Sequence, residues 1–354
     1  MPEFEEPTVK DEDLRKISEE RRTRIKVVGV GGAGCNTISR LADIIKGPEL
    51  IAINTDAQHL LITKAPIKIL IGRETTKGLG AGANPDIGRA AAKENINDIK
   101  KVLRNADMVF ITCGLGGGTG TGAAPIIAEV AKEQGALTVA VVTLPFSSEG
   151  AVRWKNAMEG LEDLQSVCDT VIVIPNDKLL EIVPKLDINS AFKVADEILA
   201  NAVKAITEIV TRPQLVNVDF ADVKTIMQEG GVAMIGFGES DSENRAVEAV
   251  NRAINNPLLS VDVSGAKAAL VVVSGGNVTI EELNTVMKTL EEKMDKENSN
   301  IIMGADIRPD LGDTLRVILI VTGVKSPQIF GKARPLHEER VKKLEKQLGI
   351  EFVE

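Results

Sequence analysis

The chain has 354 residues, 44% hydrophobic and 26% charged, which is enough for two ordinary domains and marks a globular protein rather than a disordered or fibrous one. A net charge of −9 repels polyanions and argues against a nucleic-acid-binding face, and no apolar stretch approaches the roughly 20 residues of a membrane span, so direct membrane insertion is not expected. Three scattered cysteines (Cys35, Cys113, Cys168) and two histidines (His59, His337) offer neither a disulfide framework nor a zinc site and make a serine triad improbable, as suits a reducing cytosol.

Residues 1–23 mix acids and bases without lasting apolar periodicity and read as an N-terminal arm, with no signal-peptide pattern. From Arg24 the character changes. Six short runs rich in Val and Ile, at 25–30, 50–54, 67–72, 106–113, 137–144 and 170–175, do not alternate with polar residues, the pattern of strands buried on both faces. Amphipathic helical patterns lie between most of them, as at 35–45, 85–103 and 123–135, and this alternation predicts a parallel sheet covered on both sides. Residues 189–211 carry the longest helical pattern, with Ala191, Ala195, Ile198, Ala202, Ala205, Ile206 and Ile209 at helical spacing and Pro213 beyond its end. A smaller unit follows, with helices over 219–229, 243–254 and 279–294 and strands over 232–237, 268–273, 300–306 and 315–323. The expected fold class is therefore α/β: a Rossmann-like parallel-sheet domain over 24–188, a long central helix over 189–211, a smaller mixed-sheet α/β C-terminal domain over 212–325 and a charged tail over 326–354.

The chemistry is concentrated in glycine. GLGGGTGTGAAP, residues 114–125, has glycine at six of its first nine positions and joins a strand to a helix. A strand, a glycine-rich loop and a helix N-terminus together make an anion site, because glycine lets backbone N–H groups converge and the helix dipole adds positive charge. A second loop, GVGGAGCN at 29–36, fits G-x-G-x-x-G at Gly29, Gly31 and Gly34, and a third, KGLGAGANP, occupies 77–85. The second loop, with Asp56 roughly where a ribose-binding acid belongs, also fits an NAD(P)-dependent oxidoreductase with a Rossmann domain, and that alternative stays open. It leaves GGGTGTG unexplained, since a dinucleotide has one pyrophosphate; three glycine loops suit a nucleoside triphosphate. The pattern G-x-x-x-x-G-K-[ST] is absent from the chain, so Thr119 and Thr121 supply hydroxyls in place of a lysine, and Mg²⁺ carried with the nucleotide would supply the missing charge.

GGGTGTG at 116–122, taken with NTDAQ (54–58), KGLGAGANP (77–85), IPNDKLL (174–180) and NVDFADV (217–223), resembles the FtsZ family of tubulin-like GTPases over about residues 24–325. The resemblance implies a cytoplasmic cytoskeletal protein of prokaryotic cell division, at the mid-cell septal ring, that binds GTP and GDP, polymerises with itself and hydrolyses GTP in the polymer. It implies that Gly31, Gly32, Ala33, Gly34, Cys35 and Asn36 line the α- and β-phosphates and the sugar side. Gly82, Ala83 and Asn84 would sense the γ-phosphate, and Gly116, Gly117, Gly118, Thr119 and Gly120 would cradle the phosphates with Thr143 nearby. Glu149 and Arg153 would contact ribose and phosphate, while Asn176, Phe192 and Asp196 would read and stack on guanine. An Asp can accept both N1–H and N2–H of guanine, and a Phe one turn earlier can stack on the ring; the plain alternative is that Phe192 is core and Asp196 a solvated helix residue.

No general base stands in the glycine loops, so the water that attacks a γ-phosphate must be oriented from elsewhere. Asp219 and Asp222 lie three apart at a helix start, where acids commonly cap. The resemblance implies that these two, with Asn217, also serve catalysis, entering the nucleotide site of the next subunit across a head-to-tail interface that grows an open filament. In the tail, Leu348, Ile350, Phe352 and Val353 either dock a membrane-tethering division protein or pack on the chain's own surface.

Overall fold

The computed structural model describes residues 23–182, 187–211, 218–228, 230–258, 263–294 and 299–324. The tail, nearly all of the N-terminal arm, Asn217 and Pro213 lie outside these residues.

The six Val- and Ile-rich runs form six parallel strands: β1 (Ile25–Val30), β2 (Glu49–Asn54), β3 (Ile67–Leu70), β4 (Met108–Gly114), β5 (Leu137–Leu144) and β6 (Thr170–Pro175). Four more continue the same sheet: β7 (Gly231–Ser240), β8 (Ala268–Gly275), β9 (Asn300–Ile307) and β10 (Leu315–Thr322). The order is β3-β2-β1-β4-β5-β6-β7-β10-β8-β9. Gly231 pairs with Thr170, so β7 joins β6 in parallel; β10 then runs antiparallel between β7 and β8, which makes the second half mixed as expected. That half extends the first sheet rather than building a separate one.

The helices are α1 (Gly31–Ile44), α2 (Ala57–Ile62), α3 (Arg73–Thr76), α4 (Pro85–Glu94), α5 (Ile96–Leu103), α6 (Thr119–Glu133), α7 (Ala151–Val167), α8 (Asn176–Ile182), α9 (Ile188–Thr211), α10 (Phe220–Met227), α11 (Arg245–Ile254) and α12 (Ile280–Lys293). Strand side chains alternate between two cores. Val28, Val30 and Ile111 face α4, α5, α6 and α7, whereas Val27, Phe110 and Val139 face α1, α9 and α10. With both faces covered, β5 and β6 are buried at every position, which is why their sequences show no polar alternation.

Two expected boundaries move. The helical pattern over 85–103 divides at Asn95, whose Oδ1 accepts the Gly72 N–H at 2.9 Å while its Nδ2 donates to Asp98 at 2.9 Å. The helix expected from residue 123 begins at Thr119, inside the glycine loop, so the loop is the first turn of α6.

Candidate functional site

In the order β3-β2-β1-β4-β5-β6 the chain reverses direction across the sheet between β1 and β4, the switch point at whose carboxyl ends open α/β sheets bind ligands. Both glycine loops emerge there. The backbone of α1 starts with no spacer after β1, at Gly31 with φ +70°, a conformation that only glycine adopts cheaply. A Cβ on Gly31 would lie 2.9 Å from the Gly120 nitrogen, and one on Gly114 would lie 3.0 Å from Ala33 Cβ and 3.4 Å from Thr143 Oγ1. The third loop closes on the same place: a Cβ on Gly118 would come within 2.8 Å of the Asn84 nitrogen, and the hydroxyls of Thr55 and Thr119 lie 2.6 Å apart. Gly117, by contrast, faces open space.

The N-termini of α1 and α6 have no side-chain cap and no acid in the first turn, so their leading N–H groups are left for another partner. Before the helix two N–H groups of the loop are already spent, Leu115 N–H on the Thr143 carbonyl and Gly116 N–H on Thr121 Oγ1, each at 2.9 Å. In the third loop Gly82 and Ala83 both have positive φ, +57° and +58°, and the Ala83 carbonyl is held by Asn156 Nδ2 at 3.1 Å. Asn84 Oδ1 caps α4 by accepting the Asp86 N–H. The thiol of Cys35 points into the core and burial pushes it up to about 11, so Cys35 can meet a ligand only through its backbone.

A second cluster lies at the start of α1. Asn36 Nδ2 donates to Asp196 Oδ2 at 3.2 Å, bringing together residues 160 apart, and Asn36 Oδ1 meets His59 Nε2 at 3.0 Å. Asp196 is buried, not solvated, and burial raises its carboxyl to about 6 against the opposing pull of Asn36 and Arg40. Phe192, one turn earlier, is 38% exposed and makes an edge contact with Phe146, ring centroids 5.3 Å apart at 81°. Asn176, the first residue of α8 directly after β6, is buried with its Oδ1 lacking a partner among the described residues, an acceptor whose burial costs free energy until a donor arrives. Glu149 accepts from Phe146 N–H at 2.9 Å and pairs with Arg153, so the two side chains expected at the ribose are bound to each other. Among the described residues, no three His, Cys, Asp or Glu side chains are grouped to hold a metal ion, and no helix is long and apolar enough to cross a membrane.

Asp219 and Asp222 stand elsewhere. They form a reciprocal capping box at the start of α10, Asp222 N–H donating to Asp219 Oδ1 at 2.9 Å and Asp219 N–H to Asp222 Oδ2 at 3.0 Å. The other end of α10 is anchored at the amino-terminal edge of the sheet, where the Met227 carbonyl accepts the hydroxyl of Thr170, the first residue of β6. A six-residue strand spans about 20 Å and five helical residues about 7.5 Å, so even a helix aimed straight back along β6 leaves Asp222 on the order of 10 Å short of the loops.

Two family models match: Tubulin/FtsZ family, GTPase domain, over residues 24–184, and FtsZ family, C-terminal domain, over residues 231–325. The chain belongs to the tubulin/FtsZ family, in its FtsZ branch. It is 57% identical over 346 residues to cell division protein FtsZ 1 of Archaeoglobus fulgidus, covering 97% of this chain and 92% of that protein. It is 58% identical over 327 residues to the protein of the same name from Thermococcus kodakarensis, covering 92% and 87%. The solved structure described as FtsZ dimer, empty, from M. jannaschii matches with a TM-score of 0.83 at 56% identity, over 89% of this chain and 93% of that one. With its family the chain is a guanine-nucleotide GTPase of cell division, and the oxidoreductase alternative falls. Asp56, the acid that alternative needed, caps α2 through the His59 N–H at 3.0 Å.

Thr55, His59 and Asn156 each touch an expected site residue without having been singled out by sequence. Thr55 was within reach, since it lies in the NTDAQ string; the pairings of His59 with Asn36 and of Asn156 with Ala83 join separate elements and leave no local signal.

Proposed function

We propose that the chain assembles head to tail and hydrolyses GTP at a site that the next subunit completes. The observation that carries this reading is that Asp219 and Asp222 start a helix whose far end is anchored at the first residue of β6, which leaves them on the order of 10 Å short of the glycine loops and unable to act on the same nucleotide within one chain. A heterologous contact that sets one end against the other brings the two halves together and repeats without closing. The description of the M. jannaschii relative as a dimer supports self-association.

In this reading Gly31 to Asn36 and Gly116 to Gly120 line the phosphates, which the unspent leading N–H groups of α1 and α6 hold, and Gly82, Ala83 and Asn84 report the γ-phosphate. Thr143 backs the cradle, and Glu149 and Arg153 exchange part of their mutual pairing for the ribose and phosphate. Asn176 and Asp196 read guanine while Phe192 stacks on it. Asp219 and Asp222, with Asn217, orient the attacking water from the neighbouring subunit. Residues 24–188 are the nucleotide half and 212–325 the completing half, joined by α9. Mg²⁺ bound to the triphosphate would offset the phosphate charge that otherwise repels two incoming carboxylates, and the residues present fit an ion held by the nucleotide rather than by a protein cage. The polymer acts at the mid-cell division site in the cytoplasm, and the apolar residues Leu348, Ile350, Phe352 and Val353 dock a membrane-tethering division protein; deletion of 347–354 should abolish that localisation.

Sedimentation and light scattering with GTP, GDP and NAD side by side test the reading. Assembly should require GTP and ignore NAD, and pelleting that is indifferent to nucleotide would overturn it.

A further inference from the structure

We propose that His59 is a specificity-determining positioning residue, which acts through Asn36 to hold the Asp196 carboxylate in the orientation that reads guanine. The inference rests on Asp196 being the base-reading group.

The hydrogen-bond chain determines its own polarity. An ionised carboxylate can only accept, so the Asn36 atom 3.2 Å from Asp196 Oδ2 is the amide nitrogen. That leaves Asn36 Oδ1 turned toward His59, and an amide oxygen can only accept, so His59 Nε2 carries the hydrogen across their 3.0 Å contact. Asp196 and His59 therefore tether the Asn36 amide from its two sides, the carboxylate taking its N–H and the ring N–H meeting its oxygen. Without His59 the amide keeps only the contact to Asp196 and can swing about its side-chain torsions, so the donor that fixes Oδ2 loses its own fixed position.

The ring is itself held in place. His59 is half-buried on α2, a helix whose first turn Asp56 caps, and its Cε1–Nδ1 edge lies over Gly32, where a Cβ would stand 3.3 Å and 3.5 Å from those atoms. The arrangement thus links α2 and the glycine loop at 29–36 to the base-reading carboxylate. Guanine presents N1–H and N2–H together and needs both carboxylate oxygens aimed, whereas hypoxanthine, lacking the 2-amino group, asks for one. Losing orientation should therefore weaken a guanine nucleotide more than an inosine nucleotide.

The test measures GDP and IDP dissociation constants for the full chain by competition against a fluorescent GDP. In His59→Ala, GDP should weaken about 3- to 10-fold and IDP less than about twofold, the scale of one net hydrogen bond. His59→Leu, which fills the ring's space without a donor, should do the same, so a lowered melting temperature in His59→Ala leaves the result readable. His59→Gln, which returns a donor at similar reach, should restore most of the GDP preference. If His59→Ala and His59→Leu weaken both nucleotides equally, or neither, or if His59→Gln restores nothing, the inference is wrong. Asp196→Asn separates that failure from a deeper one: if it leaves the GDP-to-IDP ratio unchanged, Asp196 does not read the base at all, whereas a collapsed ratio in Asp196→Asn beside unchanged His59 variants refutes the role of His59 alone.

Discussion

The two edges of the sheet use the same element, a helix N-terminus, in opposite ways. At the carboxyl edge α1 and α6 begin with glycine, no side-chain cap and no first-turn acid, so the structure leaves donors unspent. α10, whose far end is anchored at the amino edge, begins with two aspartates that satisfy its leading N–H groups and each other's backbone. The glycine loops therefore leave N–H donors for an anion, whereas the start of α10 carries fixed negative charge. A helix start lacking its cap is thus the stronger sign of a ligand, while a capped one needs a separate reason to be called functional.

The largest effects should come from the amino edge. Asp222→Ala should lower GTP hydrolysis by about 10²- to 10⁴-fold while nucleotide binding and assembly persist, measured as phosphate release beside sedimentation. Loss of the cap alone costs only about 1 kcal/mol of stability. Asp219→Asn sharpens the point, because Asn caps as well as Asp: melting should be unchanged and hydrolysis reduced, and normal turnover in this variant would return Asp219 to a purely structural role.

At the carboxyl edge Gly117→Ala should behave in the reverse manner. A Cβ there meets nothing within 4 Å among the described residues, so stability should stay within about 0.5 kcal/mol, yet nucleotide affinity should fall about tenfold or more if the open space is the phosphate cradle. Unchanged GDP binding in a titration would remove Gly117 from the site.

The pH dependence is smaller and its sign follows from Asp196. Its carboxyl, raised by burial to about 6, must be ionised to accept from guanine, so GDP affinity should be level above about pH 7 and fall by up to about tenfold per unit below pH 6. Without nucleotide the sign of the stability effect is opposite: the folded state binds this proton more tightly than the unfolded one, so stability falls as pH rises from the ordinary value of 3.8 through 6. Asp196→Asn should flatten both profiles.

The smallest effect belongs to Asn176. Its partnerless Oδ1 costs stability, so Asn176→Ala should leave the nucleotide-free protein within about 1 kcal/mol of the parent while reducing the stabilisation that GDP confers in a thermal shift.

Much of this was legible in sequence because it is local. TVIVIP reads as a fully buried strand and is β6, and the glycine loops announce their helix starts through composition alone. What sequence left dark depends on distance. The break at Asn95 follows from a bond to Gly72, and the burial of Asp196 follows from Asn36 lying against it across 160 residues. The run from Asp219 to Asp222 shows a capping box equally well whether or not it also serves a neighbour, since the capping geometry is complete within a single helical turn.

A nucleotide site divided between two molecules is tested most directly by the rate of phosphate release per molecule as protein concentration is lowered through the range where assembly disappears. A shared site predicts that the specific rate collapses with the polymer. A specific rate that holds constant in dilute, unassembled protein would contradict it.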